Sequence, residues 1–324
     1  MGHGQYFHFD DPHRFQTEIR ATTCDVLAKS RGGFRAALTR IELDKLWMQG
    51  LQSRDPYILR WVSNADRLSV VFLADAHHAP VRLNGVEFSA REVLVCDLSA
   101  TGDAFFEVAS DLASMSLSPG DFAAATDGVA DRGLVDFTET RTLRPAAPLL
   151  ARLRTLHKMT CRLARDTPDV LTRPATVRAI DQDLVDALVT CLAGTQSNTS
   201  SRRGGCHKKL IARFEDFLAA RHYEPVYLAE ICTAIGVSER TLRTCCQEHL
   251  GMGPIHYLWL RRMHLARRAM LDAGSTGKSV TAIATTFGFW ELGRFSVEYR
   301  KLFGELPSAT LKRSPQESPG DKVH

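Results

Sequence analysis

Arg240, Arg243 and Thr244 fall within the run Ser238-Glu-Arg-Thr-Leu-Arg-Thr-Cys-Cys246. On a helix this spacing puts two guanidiniums and a hydroxyl on one face, while Leu242 and Cys246 point the other way. Paired guanidinium forks suit planar acceptors: the O6/N7 edge of guanine, or phosphate oxygens. A second run, Leu292-Gly-Arg-Phe-Ser-Val297, offers Leu292, Gly293, Arg294, Ser296 and Val297. That set suits contact with thymine methyls and groove shape better than hydrogen-bonded reading, with Arg294 able to reach a base or a phosphate. Other chemistry is sparse. Eight cysteines, none in a CxxC pair, read as reduced buried thiols. His77 and His78 are adjacent, with Glu87 the nearest following acid, which is poor spacing for a metal site, so neither a metal nor a cofactor is expected. There is no Gly-x-Ser-x-Gly elbow and no P-loop, so the chain is not expected to be an enzyme. Tyr57 and Trp61 share a face of a strand-like segment and are the candidates for lining a small-molecule pocket, with core packing the competing reading.

Such residues act only if something holds the helices that carry them, and the last third of the chain contains a duplication that could. Leu228-Ala-Glu-Ile-Cys-Thr-Ala-Ile-Gly236 matches Val280-Thr-Ala-Ile-Ala-Thr-Thr-Phe-Gly288 at a shift of 52. After a one-residue insertion Leu242 matches Phe295, Gly251 matches Gly304 and Pro254 matches Pro307. Each copy predicts helix, glycine turn, helix. Gly236 and Gly288 supply the positive φ that ends the first helix, and Cys232 and Ala284 are small enough for a close crossing. Ser238 is a good N-cap for the second helix, whereas Glu291 caps poorly but favours the helix dipole. A helix from Pro254 to Leu271, about 27 Å long at 1.5 Å per residue, joins the copies. Trp259 and Trp290 are predicted to pack in the core or a turn.

Ahead of this, short β-type runs recur: 34–43, 45–51, 57–62, 68–73, 81–83, 86–88, 92–96, 104–108 and 112–117. Asn84-Gly85 between two of them is a hairpin signal. Many short strands with tight turns predict an antiparallel barrel or sandwich. Leucine-rich helical spacing follows at 149–163 and 177–192, divided by Pro168 and Pro174; those stripes must be buried on the barrel or on a second copy. At 324 residues, about two domains are expected. The division predicted is an N-terminal domain over 1–193, a Ser/Thr/Gly linker over 194–207, a helical domain over 208–313 and a disordered tail over 314–324. The net charge of +4 divides unevenly, at −1 over 1–206, +6 over 207–313 and −1 beyond, so the basic excess coincides with the duplication and points to a polyanionic partner. No apolar run of membrane length and no signal-like start occurs, so a cytoplasmic protein with no membrane partner is expected.

Residues 208–313 resemble the DNA-binding domain of the AraC/XylS family of bacterial transcription regulators. The matching stretches are Ile231–Leu242, Gly251-Met-Gly-Pro254 with Tyr257, Arg261–Ala266, Ile283–Phe289, Gly293–Ser296, Tyr299 and Phe303-Gly-Glu-Leu-Pro307. Cys232 stands where Ala is usual, Glu291 where Asp is usual, and Val297 where a basic residue is frequent. The resemblance implies an α+β chain: an N-terminal antiparallel β-barrel, cupin-like, with two helices, then an all-α domain with two helix-turn-helix motifs. It implies a regulator, activation being favoured, that reads double-stranded DNA in two adjacent major grooves through Ser238, Arg240, Arg243, Thr244, Leu292, Gly293, Arg294, Ser296 and Val297. A small-molecule effector, a homodimer through helices 149–193 and contact with RNA polymerase follow as expectations. The alternative is a ligand-independent regulator whose N-terminal domain is a protein-interaction adaptor.

Overall fold

The structure is a computed structural model and describes residues 2–29, 32–127, 139–193, 195–196, 202–221, 226–273 and 278–313. In chain order its strands are β1 (His3–Phe9), β2 (Thr22–Ala28), β3 (Ala36–Glu42), β4 (Trp47–Ser53), β5 (Tyr57–Ser63), β6 (Leu68–Leu73), β7 (Val81–Leu83), β8 (Val86–Phe88), β9 (Val93–Cys96), β10 (Thr101–Phe106), β11 (Ser110–Leu117), β12 (Arg141–Pro145) and β13 (Thr195–Gln196). The helices are α1 (Pro12–Glu18), α2 (Pro119–Thr126), α3 (Ala147–Asp166), α4 (Pro174–Ala193), α5 (Arg202–Ala220), α6 (Leu228–Ile235), α7 (Glu239–Leu250), α8 (Pro254–Asp272), α9 (Val280–Thr286), α10 (Leu292–Phe303) and α11 (Pro307–Lys312). The chain is therefore α+β, sheet-rich and then helical.

The strands form two antiparallel sheets, ordered β1-β3-β4-β11-β6-β9-β12-β13 and β2-β5-β10-β7-β8. They face one another without joining into one closed ring, which is the form the expected barrel takes. Strand alternation sends successive side chains to opposite faces, and here both faces find a partner. In β6, Val70 and Phe72 pack toward α3 and α4 while Leu73 turns between the sheets; in β9, Val93 and Val95 divide from Leu94 and Cys96 in the same way. In the smaller sheet Tyr57, Leu59, Ala104 and Phe106 face inward, but Leu27, Ile58 and Phe105 enter the core of the C-terminal helices. The layers run helix pair, large sheet, small sheet, helical domain. Strands buried on both sides explain why so many read as unbroken apolar runs.

The stripes on α3 and α4 are buried on the large sheet of their own chain, through Leu150, Leu153 and His157 on one helix and Val177, Leu184 and Leu188 on the other. Asp181 fixes the pair, its buried Oδ1 accepting the N–H groups of Lys45 and Leu46 at 3.2 and 3.0 Å. The hairpin forms at Asn84-Gly85, with φ of 51° and 75°. Strands β1, β2 and β12 and helix α1 lie outside the runs read from sequence. Of the expected linker, Thr195–Gln196 pairs with β12 and a helix begins at Arg202; Gly194 and residues 197–201 lie outside the described residues, as does the tail 314–324.

Candidate nucleic-acid interface

The duplicated runs build two helix-turn-helix units. In the first, α6 ends on Gly236 at φ 70°, and the N–H groups of Gly236 and Val237 return to the carbonyls of Thr233 and Cys232 at 3.3 and 3.0 Å. Ser238 then caps α7, its Oγ accepting the N–H of Thr241 at 3.2 Å. Leu242, Cys245, Cys246 and Leu250 are buried, which turns Arg240, Arg243, Thr244 and Gln247 to solvent. In the free protein Arg243 lies 3.7 Å from Glu239, an exposed pair that binds it weakly. Gln247, not among the residues expected from the sequence, continues this outer face by one turn, a place its spacing of four from Arg243 already encodes.

The second unit repeats the geometry. Ser279 caps α9 through the N–H of Ala282 at 3.1 Å, and Gly288 takes φ 77°. Glu291 precedes α10 without a side-chain cap bond, as its length predicts. Phe295, Tyr299, Leu302 and Phe303 are buried; Gly293, Arg294 and Val297 are exposed. Leu292 packs partly against the core, and the Ser296 hydroxyl donates back to the Leu292 carbonyl at 3.0 Å, so these two are less presented than their neighbours. Trp290 corrects an expectation: it is 73% exposed rather than packed, because the turn after Gly288 sends Phe289 inward instead. Trp259 is half-buried and stacks on His256 as a packing residue.

Helix α8 joins the units, placing Leu260, Met263, Ala266 and Met270 in a core that both share. Between the units lies an open groove of about 890 Å³, with Arg243 contributed by one and Trp290, Arg294 and Lys301 by the other; Lys29 of the N-terminal half also lines it. Arg267 anchors this half to the first. Buried in α8, it binds Asp11 at 2.6 Å and Glu305 at 2.7 Å, and reaches Tyr299 and Thr310. Burial alone would raise the Asp11 carboxyl, but the charge and hydrogen bonds of Arg267, with the Arg14 N–H, hold it below its usual value. Nothing in the local sequence separates Arg267 from exposed Arg268. Glu215 of α5 meets Arg60 of β5 at 2.7 Å, and buried His249 at the end of α7 lies 3.4 Å from Asp103 of β10.

In the N-terminal half a cavity of about 80 Å³ lies between the sheets. Trp61 lines it, with Leu51, Leu59, Val71, Leu94 and Phe106; Gln49, Ser63, Ser69 and Ser114 supply its uncharged polar groups. Tyr57 does not line it. Its ring is fully buried and stacks on Phe106 at 4.5 Å, and its hydroxyl meets Ser110 Oγ at 3.1 Å. Cys24, Cys161 and Cys191 are thiols pushed up to about 12 by burial. Among the described residues no group of three or more His, Cys, Asp or Glu is arranged to hold a metal, and no helix is long and apolar enough to cross a membrane.

Two exposed second helices, the first capped by Ser238, braced by one connecting helix define a DNA-binding protein of the double helix-turn-helix type. Comparison with known proteins agrees. A helix-turn-helix domain model matches residues 231–313. The chain is 31% identical over 125 residues to the XylDLEGF operon transcriptional activator 2 of Pseudomonas putida, covering 38% of this chain and 80% of that one. It is 38% identical over 100 residues to the "Probable thc operon regulatory protein" of Rhodococcus erythropolis, a match spanning 31% of this chain and 30% of that protein's length. A solved "probable AraC family transcriptional regulator" from Rhodopseudomonas palustris is 31% identical, over 33% of this chain and 97% of that one, with a TM-score of 0.31. The chain belongs to the AraC/XylS family of transcription regulators.

Proposed function

We propose that this regulator activates transcription by docking α7 and α10 in successive major grooves of one duplex. Ser238, Arg240, Arg243 and Thr244 serve the first groove, and Leu292, Gly293, Arg294, Ser296 and Val297 the second, with Gly293, Arg294 and Val297 the foremost. The observation that carries this reading is the shared groove: arginines from both units, Arg243 and Arg294, line one concavity. Helix α8, 19 residues and about 28 Å long, is close to the roughly 34 Å between successive major-groove faces. Contact with RNA polymerase belongs to the same proposal, since several matched relatives are named as activators, and a nucleoid partner makes the chain cytoplasmic. Selection from a random duplex pool by the full chain tests it: an asymmetric site of two boxes about one turn apart is expected, and equal binding to random DNA rejects it.

The cavity between the sheets is the proposed effector site, and its lining, apolar apart from Arg20, Thr22, Gln49, Ser63, Ser69 and Ser114, suits a small, mainly apolar molecule with a polar end. Ligand-induced thermal stabilisation that disappears in Trp61→Ala would support it. At about 80 Å³ the cavity is small for a ligand site, which favours keeping the adaptor reading as the second. Full activation by unliganded protein, with no stabilising compound in a broad screen, would select that reading. A homodimer through α3 and α4 is supported by surface charge: exposed α3 carries Arg152, Lys158, Arg162 and Arg165 against Asp166, and exposed α4 carries Asp183 and Asp186 against Arg178. A two-fold axis can set one helix's cations against the partner's acids. Sedimentation should then give a dimer that Lys158→Glu weakens; a wild-type monomer at micromolar concentration rejects it.

A further inference from the structure

Both reading helices are free at their N-terminal ends and held at their C-terminal ends by the N-terminal half of the chain. At the end of α7, Arg82 of β7 donates from Nη1 to the carbonyls of Gln247 at 3.0 Å and Glu248 at 3.4 Å. At the end of α10, the N–H of Gly32 donates to the carbonyl of Lys301 at 2.8 Å. The last carbonyls of a helix lack partners within it and carry its partial negative charge, so a guanidinium or a free N–H is what such an end accepts.

The glycines that terminate the two helices make the same approach. Gly251 has φ 65°, and a Cβ there would fall on the Phe105 ring; Gly304 has φ 77°, and a Cβ there would lie 3.1 Å from the carbonyl of Gly32. The two holding points lie on the same half of the chain. Strand β7 belongs to the smaller sheet, and Gly32 stands in the connection between β2 of that sheet and β3 of the larger one. The two helices are thus held twice, by α8 within their own domain and by the sheet half outside it.

We propose that Arg82 and Gly32 are positioning residues for DNA reading, and that through them the two-sheet half of the chain sets the separation and angle of α7 and α10. This rests on the two-groove reading above. Adding one base pair between two boxes moves the second groove about 3.4 Å along the axis and about 35° around it. Helix α8 holds the two units through one shared core; the contacts from the sheet half at both helix ends add a second restraint against a pivot of that size. Spacing selectivity is therefore a property of the whole chain, and the sheets that enforce it enclose the cavity proposed for the effector.

The test uses full-length protein and duplexes selected from a random pool by the wild type, rebuilt with one base pair added or removed between the boxes. Wild type should lose about tenfold in affinity on either change. Arg82→Ala should bind the original duplex within about threefold of wild type yet lose less than about threefold on the altered ones. Arg82→Lys, which keeps the charge and one donor, should recover part of the discrimination. Loss of folding is separable, because it would weaken all three duplexes equally, and in that event Arg82→Lys alone must show discrimination intermediate between wild type and none. If Arg82→Ala discriminates as wild type does on an intact two-box site, the clamp is wrong while the two-groove reading stands. If wild type selects no two-box site, both fall.

Discussion

Arg240 and Arg243 were recognisable in the sequence because everything that exposes them is local: a cap two residues before Arg240, and apolar neighbours at helical spacing. A bidentate arginine–guanine pair discriminates by about 1–3 kcal/mol. Replacing either by Ala should cost that much on the selected site and relax preference at one base pair, as titration against single-position variants would show. Uniform loss on every sequence would mean phosphate contact only. Arg267 is the opposite case. Arg267 and Arg268 are adjacent in a helix, and only the fold shows that the first is buried between Asp11 and Glu305, residues 256 and 38 positions distant. Removing one partner of a buried ionic cluster leaves the others uncompensated and costs about 3–5 kcal/mol. Arg267→Ala should therefore be far more destabilising than Arg268→Ala in urea unfolding of the full chain; equal midpoints would contradict the hub.

At the scale of elements, both helix-turn-helix units and the helix between them were legible, because glycine turns, caps and a 3.6-residue period are written within some twenty consecutive residues. The smaller sheet was only half legible. Strand β2 (Thr22–Ala28) alternates Cys24 and Val26 inward but sends Leu27 into a second core, so no one-sided pattern marks it. The start of α5 was hidden for another reason: its polar opening carries glycines that read as linker. Two helix-ending glycines measure how tightly the elements are docked. Gly236 and Gly251 have nearly the same φ, 70° and 65°, but a Cβ at Gly236 meets nothing within 4 Å while one at Gly251 falls on Phe105. Gly236→Ala should cost only the left-handed strain, about 1–2 kcal/mol. Gly251→Ala should add an overpacking penalty of about 1–3 kcal/mol, read as a lower denaturation midpoint. Equal costs would mean that Phe105 yields freely and that the junction is soft.

For the molecule as a whole, the junction between the halves joins Leu27, Ile58 and Phe105 in a shared apolar core to long-range polar pairs that no local pattern announces, and one of those pairs bears on acid stability. His264 of α8 donates from Nε2 to the Ala28 carbonyl of β2 at 3.1 Å, with its ring edge-on to Phe303. Burial lowers it to about 4, Arg267 adding to the fall while Ala28, Asp11 and Asp25 oppose it. His157, bonded to the Gln49 carbonyl at 3.0 Å, is likewise lowered to about 4 by burial. A histidine whose folded value lies below its unfolded 6.5 binds protons more readily when unfolded. Its contribution is complete above pH 6.5 and is lost as pH falls from there through about 4. Each site accounts for about 3 kcal/mol over that window. Asp111 and Glu215, raised by burial, act in the opposite sense, so the net slope of the wild type does not isolate the histidines. The difference between proteins does. His264→Gln keeps a donor for Ala28 without a titrating group, so its unfolding free energy should fall less steeply than wild type between pH 6.5 and 4, with the two curves converging toward the acid end. Parallel curves across that range would mean that His264 is already solvated in the folded chain, and that the two halves are not packed together there.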